Sequence, residues 1–273
     1  MGGFLTHLAD KLAEKWLSLL VLPGLLFLAT ASCAHVLPHG DPFDHQPVVS
    51  ALRRIGPSLH DSAPALVAFA LAGLLLAAAG VGLTARCLAT LVQRVWAGPW
   101  PSWAGPLDLA LTRRRRTRAE RSPAPPAVTR YLPARPTWIA DRLRLVDDRV
   151  HAEYGLRIAL LWPRLWLALP PEQRAPIEAA RAAFADAAAL TAWGLLYLPL
   201  GLAWWPAALI GLVVVGAGVH RGRCGAASFA DLAEASVDVN QQLIADLFGR
   251  TPQDGRITPD DGARINDRLN KGA

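Results

Sequence analysis

Four histidines and three aspartates crowd one short stretch: His35, His39, Asp41, Asp44, His45, His60 and Asp61. Imidazole and carboxylate are credible ligands for a divalent cation. The spacing of His35, His39, His45 and His60 matches no metal site, however, and the Pro, Gly and Asp among them are loop-forming residues. A solvated loop is therefore the expectation. A second group, Asp141, Asp147, Asp148 and Glu153, is interleaved with Arg142, Arg144 and Arg149. At helical spacing these read as ion-paired surface positions, not as a general acid and base. Cys33, Cys87 and Cys224 fit neither a disulfide framework nor a zinc knuckle, and in apolar surroundings cysteine behaves as a small hydrophobe. The chain has no Gly-rich phosphate loop, no HExxH pair and no Ser elbow. No catalytic residue, metal or cofactor is expected, and the protein reads as a non-enzyme.

Basic residues form the remaining chemical cluster. Arg113, Arg114, Arg115, Arg116, Arg118 and Arg121 lie within nine positions. Placed near a bilayer, such a cluster attracts anionic headgroups at about 1 kcal/mol per residue. A nucleic-acid partner would require a reading element or stacking platform, and none is recognisable. Lipid headgroups are the expected contact for these six arginines.

What must position these groups is a membrane. Residues 16–40, 62–85 and 187–220 contain no Asp, Glu, Lys or Arg. A hydrocarbon core of about 30 Å needs roughly 20 apolar residues of helix. The composition, 52% hydrophobic and 18% charged, departs in the same direction from the roughly 25% charge of soluble domains. The first run could be a cleaved signal, since Lys11 and Lys15 precede it and Thr30-Ala31-Ser32-Cys33 has some likeness to a lipoprotein site. The run continues through Cys33 to Val36, so an uncleaved anchor is the reading adopted.

Basic residues accumulate on the cytoplasmic side of membrane proteins. Residues 95–186 carry fifteen Arg and the tail from 221 carries six Arg and one Lys, whereas 38–61 carries only Arg53 and Arg54. The predicted order is a cytosolic amphipathic N-terminus (1–15), a span (16–36), an external loop (37–62), a second span (63–94) and a long cytosolic stretch. The third charge-free run decides the parity. As a single helix its 34 residues would measure about 51 Å, and it contains Pro199, Gly201 and Pro206 around Trp204-Trp205. Two short helices, about 187–202 and 205–220, joined by a turn, fit better. Each arm is only roughly 16 residues, short of the roughly 20 of a full span, so both a full hairpin and a re-entrant one stay open within 186–220. Either way both termini are cytoplasmic, in a multi-pass protein of the plasma membrane.

The cytosolic stretch begins with a Trp/Arg/Pro-rich linker (95–136), in which Trp96, Trp100 and Trp103 suggest an interfacial collar. A helical domain (137–185) follows. Thr137 is a plausible N-cap and Gly155 a stop, and Ile139, Leu143, Val146 and Val150 recur at helical steps. Leu156–Leu169 is too short and too charged for a span, so it is expected to lie on the membrane surface or to pack under the bundle, with Trp162 and Trp166, like Trp204 and Trp205, as interfacial residues. The tail divides into a cytosolic helix (221–248), whose Phe229, Leu232, Val239, Leu243 and Leu247 share a face, and a Gly-, Pro-, Asp- and Asn-rich disordered end (249–273).

The order Pro136-Thr137, a charged helix, Tyr154-Gly155-Leu156 and then Leu161-Trp162-Pro163-Arg164-Leu165-Trp166 resembles uncharacterised bacterial integral membrane proteins, notably from high-GC actinobacteria. The resemblance continues through the hairpin to Asp231-Leu232 and Val237-Asp238. It implies fold likeness and a membrane address, and carries over no functional residue.

The expected fold class is all-α: a polytopic helical membrane protein of four transmembrane helices, the last two a short hairpin, with a small helical cytosolic domain. Two functions compete. One is a membrane-anchored scaffold that presents the cytosolic domain to a protein partner. The other is an oligomeric transporter or channel subunit that associates through the small-residue face of Gly73, Ala77 and Gly80.

Overall fold

The computed structural model describes residues 21–37, 46, 49, 50, 53, 63–98, 100–122, 131–249 and 256–270. These are helical or connecting residues, with no strand among them. The helices are α1 (Leu22–Val36), α2 (Pro64–Ala97), α3 (Gly105–Glu120), α4 (Trp138–Tyr154), α5 (Ile158–Ala168), α6 (Pro171–Leu200), α7 (Trp205–Val239), α8 (Gln241–Leu247) and α9 (Pro259–Leu269). Three of them, α2, α6 and α7, are long and apolar enough to cross a membrane. The predicted N-terminal segment 1–15 lies outside the described residues, as does most of the predicted external loop.

The chain divides into two compact units. Unit 1 comprises 1–92 and 188–219, and unit 2 comprises 93–187 and 220–273.

Unit 1 is built on close backbone approach. A Cβ placed on Gly24 of α1 would stand 2.2 Å from the carbonyl oxygen of Ala78 on α2, so only glycine allows this contact. Ala188, Ala192 and Ala207 are buried completely. Small residues draw helices together in this way where lipid removes the hydrophobic incentive. Phe27 and Tyr197 meet edge to face, with ring centroids 5.3 Å apart. The outward positions are the large ones: Phe69 is 76% exposed, Leu76 72% and Val213 71%. In water such a surface would be an aggregation site; against hydrocarbon it costs nothing.

The turn of the hairpin falls at Gly201–Trp204, where the amides of Ala203 and Trp204 donate to the Leu200 carbonyl. The helices run on beyond the charge-free arms of roughly 16 residues each. The helices that carry them, α6 and α7, hold 30 and 35 residues. The helices continue because the flanking Ala, Glu, Arg and Leu are strong helix formers. The separate helix expected over 221–248 is likewise part of α7 as far as Val239, with a break at Asn240 before α8.

Unit 2 has a hydrophobic core of its own. It gathers Val146, Val150 and Tyr154 of α4, Leu161 and Leu165 of α5, Val237 of α7, Ile244 of α8 and Ile265 of α9. Helix α5 forms its centre: Leu161 and Leu165, one turn apart, are 1% and 0% exposed. Residues 256–270 contradict the disorder expected of the tail. Thr258 and Asp261 form a capping box and Pro259 occupies the first helical position, a strong start signal. The helix then buries Ile265 and Leu269.

Candidate functional site

Helix α4 organises unit 2. The Thr137 hydroxyl accepts from the Ala140 amide at 3.1 Å and donates to the Trp96 carbonyl at 2.5 Å. At the other end Gly155, at φ +68°, closes the helix in the left-handed conformation that glycine tolerates. Here α9 docks at backbone distance. A Cβ on Gly262 would stand 1.9 Å from the Tyr154 carbonyl oxygen. Asn266 fastens the junction by donating to the Gly155 carbonyl at 2.7 Å and accepting from the Arg157 amide at 3.1 Å.

One side of α4 is cross-linked to α7 by polar pairs. Arg142 pairs with Asp231, Arg149 with Glu234 at 2.6 Å, and the Tyr154 hydroxyl donates to Asp238 at 3.0 Å. Asp231, Glu234 and Asp238 follow helical spacing, so one stripe of α7 meets one stripe of α4. Burial, aided by the neighbouring Asp238 carboxylate, holds the Tyr154 phenol well above its ordinary pKa.

Asp141 departs from the surface role expected of it. The residue is 4% exposed and both carboxylate oxygens are occupied. Oδ1 accepts from the amides of Ala134 and Arg135, at 3.0 and 3.1 Å, and from Arg144 at 3.3 Å. Oδ2 accepts from Arg115 at 2.6 Å. This arrangement is a structural clamp, with three donors converging on Oδ1 and Arg115 on Oδ2.

The six arginines do not act alike. Arg115 turns inward, donating to Asp141 and to the Thr137 carbonyl at 2.7 Å, so its guanidinium is engaged within unit 2. Arg116 pairs with Glu120 at 3.0 Å. Arg113 and Arg116 border a depression that also holds Leu132, Arg144 and Asp148. Arg114, Arg118 and Arg121 line a different one, with Thr117 and Ser122, and make no ion pair among the described residues. The helix that sorts them, α3, is missing from the sequence reading, which assigned 95–136 to a linker. Its inward positions Asp108, Thr112, Arg115 and Ala119 recur at three- and four-residue steps, but no apolar stripe marks them.

Unit 2 also opens an aromatic cleft of about 680 Å³. Trp162, Trp166, Phe184 and Phe229 supply its walls, Ala226 its floor, and Glu178 and Arg181 its charged edge. Trp162 stacks at a tilt on Trp166, centroids 5.9 Å apart, and meets Phe229 edge-on at 6.2 Å. Ligand sites have this character: mostly apolar and aromatic, with a few polar groups at fixed places. Trp162 and Trp166, predicted as interfacial residues, are half-buried walls of this cleft and pack against the core. Trp204 and Trp205 stand at the hairpin turn, Trp205 41% exposed.

Among the described residues no group of three or more His, Cys, Asp or Glu is placed to hold a metal ion. His35 is exposed near the end of α1; His39, His45 and His60 lie outside the described residues. No family model matches the chain, and neither does any curated protein or solved structure.

Proposed function

We propose that this protein is a membrane-anchored scaffold that crosses the plasma membrane four times, keeps both termini in the cytoplasm and presents unit 2 to a cytosolic protein partner. The crossings are 16–36, 63–94 and the two arms of 186–220. The charge asymmetry between 38–61 and the long inner stretch supports this topology, and a hairpin turn at Gly201–Trp204 is consistent with an even number of crossings.

The observation that carries the functional reading is the open aromatic cleft on a unit that already has a complete core of its own. Tryptophan and arginine are the residues that most often dominate protein–protein binding energy. The fitting partner is a segment bearing apolar side chains, with polar groups that complement Glu178 and Arg181.

The test uses the full-length protein with a photo-crosslinking residue in place of Phe229, in cells. One specific protein is expected to be captured, and Ala226→Trp, which fills the cleft floor, is expected to abolish its capture. Capture of lipid alone, or capture unaffected by Ala226→Trp, contradicts the reading.

A second reading, an oligomeric transporter or channel subunit, draws on one observation. Gly73, Ala77 and Gly80 are exposed on α2, and a Cβ on Gly73 or Gly80 would meet nothing within 4 Å. A small-residue face left open by its own chain suits a neighbouring copy. Gly73→Leu with Gly80→Leu is expected to shift the solubilised protein from oligomer to monomer if this face is used.

A further inference from the structure

We propose that the outward face of α3 is a binding site for the phosphate of an anionic phospholipid headgroup, with Trp103 and Leu107 as its apolar anchor. The sequence alone makes all six arginines equivalent. The structure divides them three ways: Arg115 clamps Asp141, Arg116 is paired with Glu120, and Arg113 and Arg116 border the depression beside Asp148. That leaves Arg114, Arg118 and Arg121, all exposed, around a single depression.

Spacing places the anchor on the same face. Leu107, Arg114, Arg118 and Arg121 are separated by seven, four and three positions, which aligns them along one side of a helix. Leu107 is 58% exposed, and Trp103, in the short turn before α3, is 82% exposed. Large apolar side chains followed by a row of arginines make the pattern of an interfacial helix, in which the ring and leucine enter the headgroup boundary while guanidinium groups meet phosphates. Guanidinium binds phosphate through two parallel N–H donors. Leu107 favours a lipid: free phosphate gains nothing from an apolar neighbour, and a nucleic acid, whose bases could stack on Trp103, gains nothing from an exposed leucine. The aspartate on the helix, Asp108, points to the inner side, where it accepts from Thr112 at 3.2 Å.

This proposal rests on the bilayer setting of the proposed function and not on its protein partner. The full-length protein is placed in nanodiscs of phosphatidylcholine containing phosphatidylglycerol, and retained phosphatidylglycerol is counted by native mass spectrometry. Each arginine near an anionic surface contributes about fivefold in affinity, so the R114Q/R118Q/R121Q variant is expected to lose about 100-fold. R114K/R118K/R121K keeps the charge without the fork and is expected to fall between the two. W103A/L107A is expected to lower retention, and R113Q/R116Q to leave it within a few-fold of wild type.

Equal losses in R113Q/R116Q and in the triple glutamine variant would overturn the site in favour of a diffuse field. Displacement of the lipid by glycerophosphate or by an RNA oligonucleotide, at matched phosphate concentration, would overturn the lipid assignment. A wild-type chain that fails to enter nanodiscs contradicts the bilayer reading itself. A chain that enters and shows no preference contradicts the headgroup site alone.

Discussion

Arg115 reaches Asp141 across 26 positions of sequence, its Nη1 2.6 Å from Oδ2. This pair fastens α3 to α4, and the other oxygen of the same carboxylate fixes the amides of Ala134 and Arg135. The Pro-rich approach to α4 is thus held by a residue that follows it.

Breaking a buried, hydrogen-bonded ion pair from one side leaves the remaining groups unsatisfied and costs about 3–5 kcal/mol. Asp141→Ala is expected to destabilise unit 2 by about 3 kcal/mol, since Arg115 keeps a quarter of its side chain in contact with solvent. Asp141→Asn is expected to cost less, because it preserves one acceptor. Denaturant melts of the solubilised protein check both, and a null effect of Asp141→Ala would refute the clamp.

The α9 helix depends on the absence of a side chain at Gly262. With a Cβ 1.9 Å from the Tyr154 carbonyl oxygen, Gly262→Ala is expected to push α9 off unit 2 and cost about 2 kcal/mol, within the range of overpacking changes. Hydrogen exchange over 256–270 measures this directly: the variant should exchange much faster there while α5 stays protected. Gly262→Ala with unchanged protection would show that α9 does not dock as described.

Tyr154 sets an alkaline limit. Its folded pKa is raised above the unfolded value of about 10, chiefly by burial and then by Asp238. The phenol's contribution is therefore fully present below about pH 10 and is lost as pH rises above it, because the unfolded chain releases the proton first. Tyr154→Phe should flatten this alkaline loss. Its cost at neutral pH should be about 1 kcal/mol, from the hydrogen bonds to Asp238 and Gln241. Melting temperature against pH for both proteins provides the comparison.

The four-crossing topology makes a sharp prediction for the chain's end. A reporter fused after Ala273 is expected to read cytoplasmic, and one inserted within 38–61 to read external. An external signal at Ala273 would eliminate the model.

Local rules read parts of this protein directly. Thr137 and Gly155 delimit α4 because capping is a matter of a few adjacent backbone groups. The absence of charge over 62–85 and 187–220 identifies α2 and the apolar parts of α6 and α7, because transfer into hydrocarbon depends on composition. The docking of α9 was partly legible too, in Thr258-Pro259-Asp260-Asp261 and the Ile265–Leu269 step, but the Gly, Pro, Asp and Asn around them hid the signal.

The chain's sequence by itself determined the helical class, the apolar runs, the turn at Gly201–Trp204 and the caps of α4, since each arises from residues within one or two turns of one another. Tertiary structure alone decided which of six adjacent arginines is a structural pin, which aspartate is buried, and that Trp162 and Trp166 wall a cleft. The physical reason is distance along the chain: Arg115 and Asp141, or Trp162 and Phe229, acquire their roles only when helices far apart in sequence pack side by side.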